Sequence, residues 1–343
     1  MSTKILLIGN TSSSGQIGGI LLRAANNLHC SVDVIDNSWD SYAPSMKSLW
    51  GRLIFKILGK RPIEWIEFNH KITDMIREQK PNIVFVVGIF PLSQDVFGIC
   101  KEVNAKIVNY MTDYPWNRYH YSPKYLENLT SYDFVASTKS QILQELNQHR
   151  VKRATFLPFG FDPHIHSVPE QVTPEQRERF DADISFIGTG DPERLVYLNA
   201  FTGLKNLKLR VYGGLWEGIR LKDWVVNPIV LGDQFRLAIH CSKLTLGIVR
   251  KRNKDESTMR TFEIPACGGC GIYEDTQEHR EILAGYPEYG FFSSPEDLAN
   301  KCQWLLEHPI EREEMRKLGI QIIVNDSNTY TSRLKTILEM CNG

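Results

Sequence analysis

Short apolar runs recur along the first half of the chain. Each is followed by a stretch in which apolar positions return every three or four residues. The runs 4–8 (KILLI), 31–35 (SVDVI), 82–87 (NIVFVV), 106–110 (KIVNY), 133–136 (DFVA) and 154–158 (ATFLP) have the length and branched-residue content of buried strands. Helical spacing fills 18–28, 64–79, 93–103 and 139–149. Strand alternating with helix predicts a parallel sheet covered on both faces. Segment 158–180 holds four prolines and few aliphatic residues, so it reads as a connector. The pattern then restarts, with strands expected at 183–189, 207–214, 228–232, 243–249 and 268–274. Helices are expected at 192–201, 234–241, 259–266, 278–284, 295–307 and 310–318, and an amphipathic one at 329–341. The expectation is an α/β chain of two parallel-sheet domains facing a cleft: 1–160, a linker 161–180, and 181–325. A closing helix within 326–343 can return to the first domain. Ligands belong at the carboxyl ends of such strands, with the cleft as the default site.

Composition narrows the class. The 343 residues are 42% hydrophobic and 23% charged, a globular balance with room for roughly two domains. Forty basic residues offset forty acidic ones, which removes the net positive field of a nucleic-acid binder. No uninterrupted run of about 20 apolar residues is present, so no membrane-spanning helix is expected. The start, Met1-Ser-Thr-Lys, enters a strand without a signal-peptide layout, and seven scattered cysteines suit reduced thiols. The expected location is cytoplasmic.

The densest candidate chemistry lies in 255–274, DESTMRTFEIPACGGCGIYE. Thr258 suits a helix N-cap, placing Arg260, Thr261 and Glu263 in the first turns, while Pro265 shortens that helix. Gly268, Gly269 and Gly271 allow a tight turn into the next strand. A carboxylate there can accept ribose hydroxyls while free N–H groups attract a diphosphate; a solvated Glu263–Arg260 pair is the plain alternative. After the strand FIGTG, Gly188, Thr189 and Arg194 can meet phosphate oxygens, or form an ordinary strand–helix turn. Gly213 and Gly214 can admit a base or ribose close to the backbone, or simply end a strand.

MRTFEIPACGG, the later EYGFFSSPEDLANKCQWLLEHP, and the terminal Thr329-Tyr330…Arg333 together resemble the group 1 GT-B glycosyltransferases, in particular the CgeB-like, spore maturation protein type. The resemblance covers 183–340 well and 105–165 loosely. It implies two Rossmann-like domains, with the nucleotide-sugar donor held by the second and the acceptor by the first. It also implies transfer without a metal or other cofactor, and retention of configuration. Relatives carry a Glu-x7-Glu pair whose second member contacts the donor ribose. Glu263 matches that position, but Asp255 replaces the first glutamate. The implied donor set is Gly188, Thr189, Arg194, Gly213, Asp255, Arg260, Thr261 and Glu263.

In the first half, GNTSSSGQIGG (9–19) lacks the spacing of a phosphate-binding loop. Ser13, Gly15 and Gly18 are its acceptor-side candidates, Gly18-Gly19 resembling the Gly-Gly of GT-B relatives. Asp36 ends the second strand, where a dinucleotide-binding fold would keep an acidic residue for ribose; without the glycine fingerprint it reads as a solvated strand end. Asp113, at the end of the fourth, can bind acceptor hydroxyls or take a proton, or serve a turn before Pro115; His120 is held in reserve. Three motifs carry little: Cys267-Gly-Gly-Cys270 has no second pair, Asp181-Ala-Asp183 precedes a strand, and His164 with His166 lack a third ligand. No metal site is expected. Segment 47–61, KSLWGRLIFKILGKR, combines one apolar helical stripe with five cations. It suits either peripheral contact with an anionic membrane or packing on its own sheet with extended lysines. The function expected is transfer of a sugar from a nucleotide diphosphate to an acceptor. A nucleotide-sugar epimerase and a non-catalytic nucleotide-sugar-binding protein are the rivals.

Overall fold

The computed structural model describes residues 2–118, 120–219 and 221–342. The chain forms two compact units, Met1–Pro158 with Tyr330–Gly343, and Phe159–Thr329. Unit 1 is a six-stranded parallel sheet: β1 (Lys4–Gly9), β2 (Ser31–Asp36), β3 (Ile83–Val87), β4 (Lys106–Met111), β5 (Phe134–Ser137) and β6 (Ala154–Phe156). Its order is β2-β1-β3-β4-β5-β6. After β2 the chain crosses to the opposite side of β1, so the order reverses between β1 and β3. Strands buried on both faces explain the unbroken apolar runs, with Leu6, Ile8, Val84, Val86 and Ile107 in the core. The terminal helix Tyr330–Asn342 packs against Ile17–Asn27, and Arg333 Nε donates to the Pro158 carbonyl at 3.0 Å.

Unit 2 holds β7 (Ala182–Ile187), β8 (Leu209–Tyr212), β9 (Trp224–Asn227), β10 (Ser242–Gly247), β11 (Gly271–Glu274) and β12 (Phe291–Phe292). All pair in parallel, in the order β12-β11-β10-β7-β8-β9. Read from β9 this is the order 3-2-1-4-5-6 of a dinucleotide-type sheet, reversing between β7 and β10.

One expectation is corrected. The strand sought at 228–232 runs instead over Trp224–Asn227. Pro228 has no N–H to continue the ladder, and Trp224 anchors the strand by donating from Nε1 to the Leu198 carbonyl at 2.9 Å. The segment read as a plain connector contains a helix, Pro174–Phe180, closed by a Thr173/Gln176 capping box, and groups with unit 2. Among the described residues, no helix is long and apolar enough to cross a membrane.

Gly18 lets the first helix close onto the loop after β1, because a Cβ there would stand 2.4 Å from the Asn10 carbonyl oxygen. Gly18→Ala should therefore cost about 1–3 kcal/mol in urea unfolding. Gly98→Ala, in the exposed interior of Gln94–Glu102 with open space around it, should gain about 0.5–1 kcal/mol. Equal shifts in the two variants would contradict the packing described.

Candidate functional site

In unit 2 the candidate donor residues gather where the strand order reverses. The loop Gly188–Gly190 leaves β7, with Thr189 exposed. It is backed by the end of β8: a Cβ on Gly213 would lie 2.0 Å from the Gly188 carbonyl oxygen. Gly190 needs the same bareness, its Cβ position being 2.0 Å from the Leu215 carbonyl oxygen. Trp216 Nε1 and the Gly190 N–H fix the turn by donating to the Gly188 and Gly214 carbonyls at 3.0 and 2.9 Å. Two glycines are thus explained by backbone approaching backbone.

Arg194 lies in the following helix, Pro192–Leu198, which Asp191 caps. Its guanidinium is buried under this loop. Nη1 donates to the Thr189 carbonyl and hydroxyl at 3.2 and 3.3 Å, and Nη2 reaches the Ile248 carbonyl beyond β10 at 3.5 Å. Nε has no hydrogen-bond partner among the described residues. Burial first, and then Arg250, push the Arg194 pKa down to about 10, with Arg260 adding to the effect and Asp255 and Asp191 opposing it. A desolvated cation among further arginines is an environment that an anion would relieve.

The helix Met259–Ala266 supplies the second half. Thr258 caps it, its hydroxyl accepting from the Arg260 N–H at 3.2 Å while its own N–H donates to Thr261 Oγ1 at 3.1 Å. Thr261 is turned into the core rather than outward. Its hydroxyl meets Nε2 of the buried His279 at 3.0 Å, and His279 Nδ1 lies 2.7 Å from the Glu274 carbonyl. A carbonyl can only accept, so Nδ1 carries the proton and Nε2 accepts from Thr261.

Arg260 bridges the two halves, donating from Nε to the Ile187 carbonyl at 3.0 Å and from Nη1 to Glu263, with its guanidinium over the Phe235 ring. Glu263 is only 1% exposed. Its other carboxylate oxygen lies 3.4 Å from His166 Nε2. The Asp162 N–H donates to His166 Nδ1 at 3.0 Å, which leaves the proton on Nε2, facing the carboxylate. Asp255 is held elsewhere, accepting from Arg250 Nε at 3.0 Å and Asn253 Nδ2 at 2.9 Å. The geometry therefore brings together Gly188, Thr189, Arg194, Gly213, Arg260 and Glu263, and gives Thr261 and Asp255 supporting positions. His166 was missed because its link to Glu263 spans 97 positions; the sequence shows only a histidine in a proline-rich segment.

Unit 1 carries its own crevice at its own reversal. A cavity of about 300 Å³ is lined by Asn10, Trp39, Tyr42, Phe55, Lys60, Gly88 and His120, among others. Asn109 steadies its floor by donating to the Val86 and Gly88 carbonyls at 3.1 and 2.9 Å, and accepts from Tyr125 at 2.7 Å. Asp36 is more than a solvated strand end. Burial alone would raise its pKa, but donors on Ser38, Ser41 and Thr11 outweigh that and hold it low, fixing the turn beside the cavity. In the preceding loop Ser13 and Gly15 are half-buried; Ser13 Oγ is buried without a partner among the described residues, and Gly18 is taken up by packing. Asp113 Oδ1 lies 3.6 Å from Nε2 of the cavity residue His120, and Thr112 donates to Oδ2 at 3.1 Å.

Two of the three discounted motifs are structural. Cys267 and Cys270 are buried, which pushes both thiols up, Cys270 to about 12. Asp181 and Asp183 pair with Lys208 and Lys243 at the amino ends of β7, β8 and β10.

Comparison with known proteins assigns the architecture. Three solved structures align over 99% of the chain. They are trehalose-6-phosphate from E. coli bound with UDP-2-fluoro glucose (10% identity, 99% of that chain, TM-score 0.68), a glycosyltransferase from Rickettsia africae (14%, 98%, 0.65) and T4 phage BGT with its UDP-glucose substrate (15%, 99%, 0.61). At these identities the likeness establishes the fold, which is GT-B, built of two Rossmann-like sheets. Residues 194–339 in addition match the family model described as glycosyl transferase-like. No curated protein matches in sequence.

His279 titrates in a testable window. Burial lowers its pKa from 6.5 to about 4, so the unfolded chain takes up a proton first as pH falls. Its contribution to stability is complete above pH 6.5 and is lost progressively towards about pH 4, by at most about 1.4 kcal/mol per pH unit. Denaturation midpoints of His279→Asn should fall less steeply than those of the wild type over that range. Parallel slopes would contradict the buried neutral imidazole.

Proposed function

We propose that the protein transfers a sugar from a nucleoside diphosphate donor to an acceptor, with unit 2 holding the donor and unit 1 the acceptor. The observation that carries this reading is the arginine-lined end of β7, where buried Arg194 keeps an unpartnered Nε beneath a bare glycine loop. The glycosyl transferase-like match over 194–339 and the UDP-sugars held by relatives of the same fold support it. A diphosphate would accept from Arg194, Arg260 and the Thr189 N–H, which neutralises the leaving group as the sugar departs. Protein cations and N–H groups do this without a metal or other cofactor. As Arg260 turns to the phosphates, one Glu263 oxygen is released to accept a ribose hydroxyl, while His166 keeps the other in place. In unit 1, His120 takes the acceptor proton and Asp113 orients its imidazole. The CgeB-like assignment belongs to this proposal; retention of configuration would require the departing phosphate oxygen, and not His120, to take the acceptor proton.

Incubation with UDP-, GDP-, dTDP- and CDP-sugars tests it. Donor-dependent transfer supports the reading, whereas epimer formation without an acceptor, or binding without turnover, would replace it. Glu263→Gln, which keeps the side-chain shape, should weaken nucleotide binding by about 1–3 kcal/mol in calorimetry. Unchanged affinity would remove Glu263 from the ribose. Asp113→Asn should lower kcat at least tenfold with donor affinity intact; an unaltered kcat excludes the pair from proton transfer.

A further inference from the structure

The helix Leu49–Ile57 of unit 1 turns its apolar face to solvent instead of the core. Leu49, Trp50, Leu53 and Ile57 are 82%, 69%, 47% and 72% exposed. At 3.6 residues per turn they share an arc of about 100°. The opposite face is seated through Gly51, where a Cβ would stand 2.0 Å from the Ser45 carbonyl oxygen, so this orientation is fixed by packing. The reading in which the stripe packs on its own sheet is set aside by these exposures. Exposed Trp39, Ile63 and Ile66 add further apolar surface from neighbouring segments.

Charge decides what fits this face. From Ser41 to Ile63 there is no carboxylate side chain, and Lys47, Arg52, Lys56, Lys60 and Arg61 all fall in this span. Arg52 and Lys56 are exposed and project beside the apolar arc. The whole chain has zero net charge, so the cations are locally concentrated rather than part of a general field. A second copy docking face to face would oppose the same cations to one another, which disfavours self-association. A lipid surface with anionic headgroups complements both features, taking the apolar arc below the headgroups and the cations at their level.

We propose that this helix docks the protein on an anionic bilayer surface. Phe55 and Lys60 also line the unit 1 cavity, so the docked helix borders the candidate acceptor site. Docking itself does not depend on the glycosyl-transfer reading.

The test is co-sedimentation of the full chain with vesicles of phosphatidylcholine alone or with added phosphatidylglycerol. Binding is expected to the anionic vesicles, to weaken as salt rises, and to be lost in Trp50→Glu/Leu53→Glu. Those side chains are exposed, so the thermal melt should be unchanged. Lys56→Glu alone should lower partitioning about fivefold or more. A wild type that stays in the supernatant with anionic vesicles would overturn the proposal, as would undiminished binding by the double variant. Sedimentation velocity showing a dimer abolished by that variant, without vesicle binding, would assign the face to a second copy instead.

Discussion

A guanidinium taken out of water at the carboxyl end of β7 is the constraint on which the site in unit 2 depends. Desolvating a charge is costly, and Arg194 recovers only part of that cost through the Thr189 and Ile248 carbonyls. Gly188 leaves room for it, since a Cβ there would stand 3.3 Å from Nη1, while Gly190 and Gly213 let the backbone of the loop close up beside it. Its position also requires that the reversal of strand order fall between β7 and β10, since β10 leads into the Ile248 carbonyl. Loop, helix and topology therefore answer to one charge, and the nucleoside diphosphate reading follows from what such a charge attracts.

Around it stands a layer of positioning contacts that fixes the helix Met259–Ala266. One set runs Thr258–Thr261–His279–Glu274 through the core and sets the helix start. The other runs Asp162–His166–Glu263–Arg260 and sets where the carboxylate and guanidinium stand. Unit 1 uses comparable means at its own reversal, with Asn109 and Asp36 satisfying the backbone at the ends of β3 and β1. In both units, buried polar side chains with good partners hold strand ends that would otherwise be free to shift.

Much of this was legible in the sequence, because the signals are local. Every strand of unit 1 and most of unit 2 announced themselves as short apolar runs, and Thr258 and Pro265 bounded a helix that spans Met259–Ala266 as expected. Local signals failed where tertiary contacts decide. At β9, Pro228 moved the strand back onto a segment anchored by Trp224. Thr261, placed in the donor set, is held in the core by His279, eighteen positions on. His166 stood out only as one of a histidine pair without a third ligand. The stripe at 47–61 was ambiguous for the same reason: a helical period tells which residues share a face, and only the packing of Gly51 on Ser45 tells which way that face points.

The most direct test of the central claim is a crystal structure of the protein with UDP. The account predicts the diphosphate within hydrogen-bonding distance of Arg194, Arg260 and the Thr189 N–H, with Arg260 drawn away from Glu263. A diphosphate bound elsewhere, with the Arg260–Glu263 pair intact and Arg194 Nε still unpartnered, would contradict it.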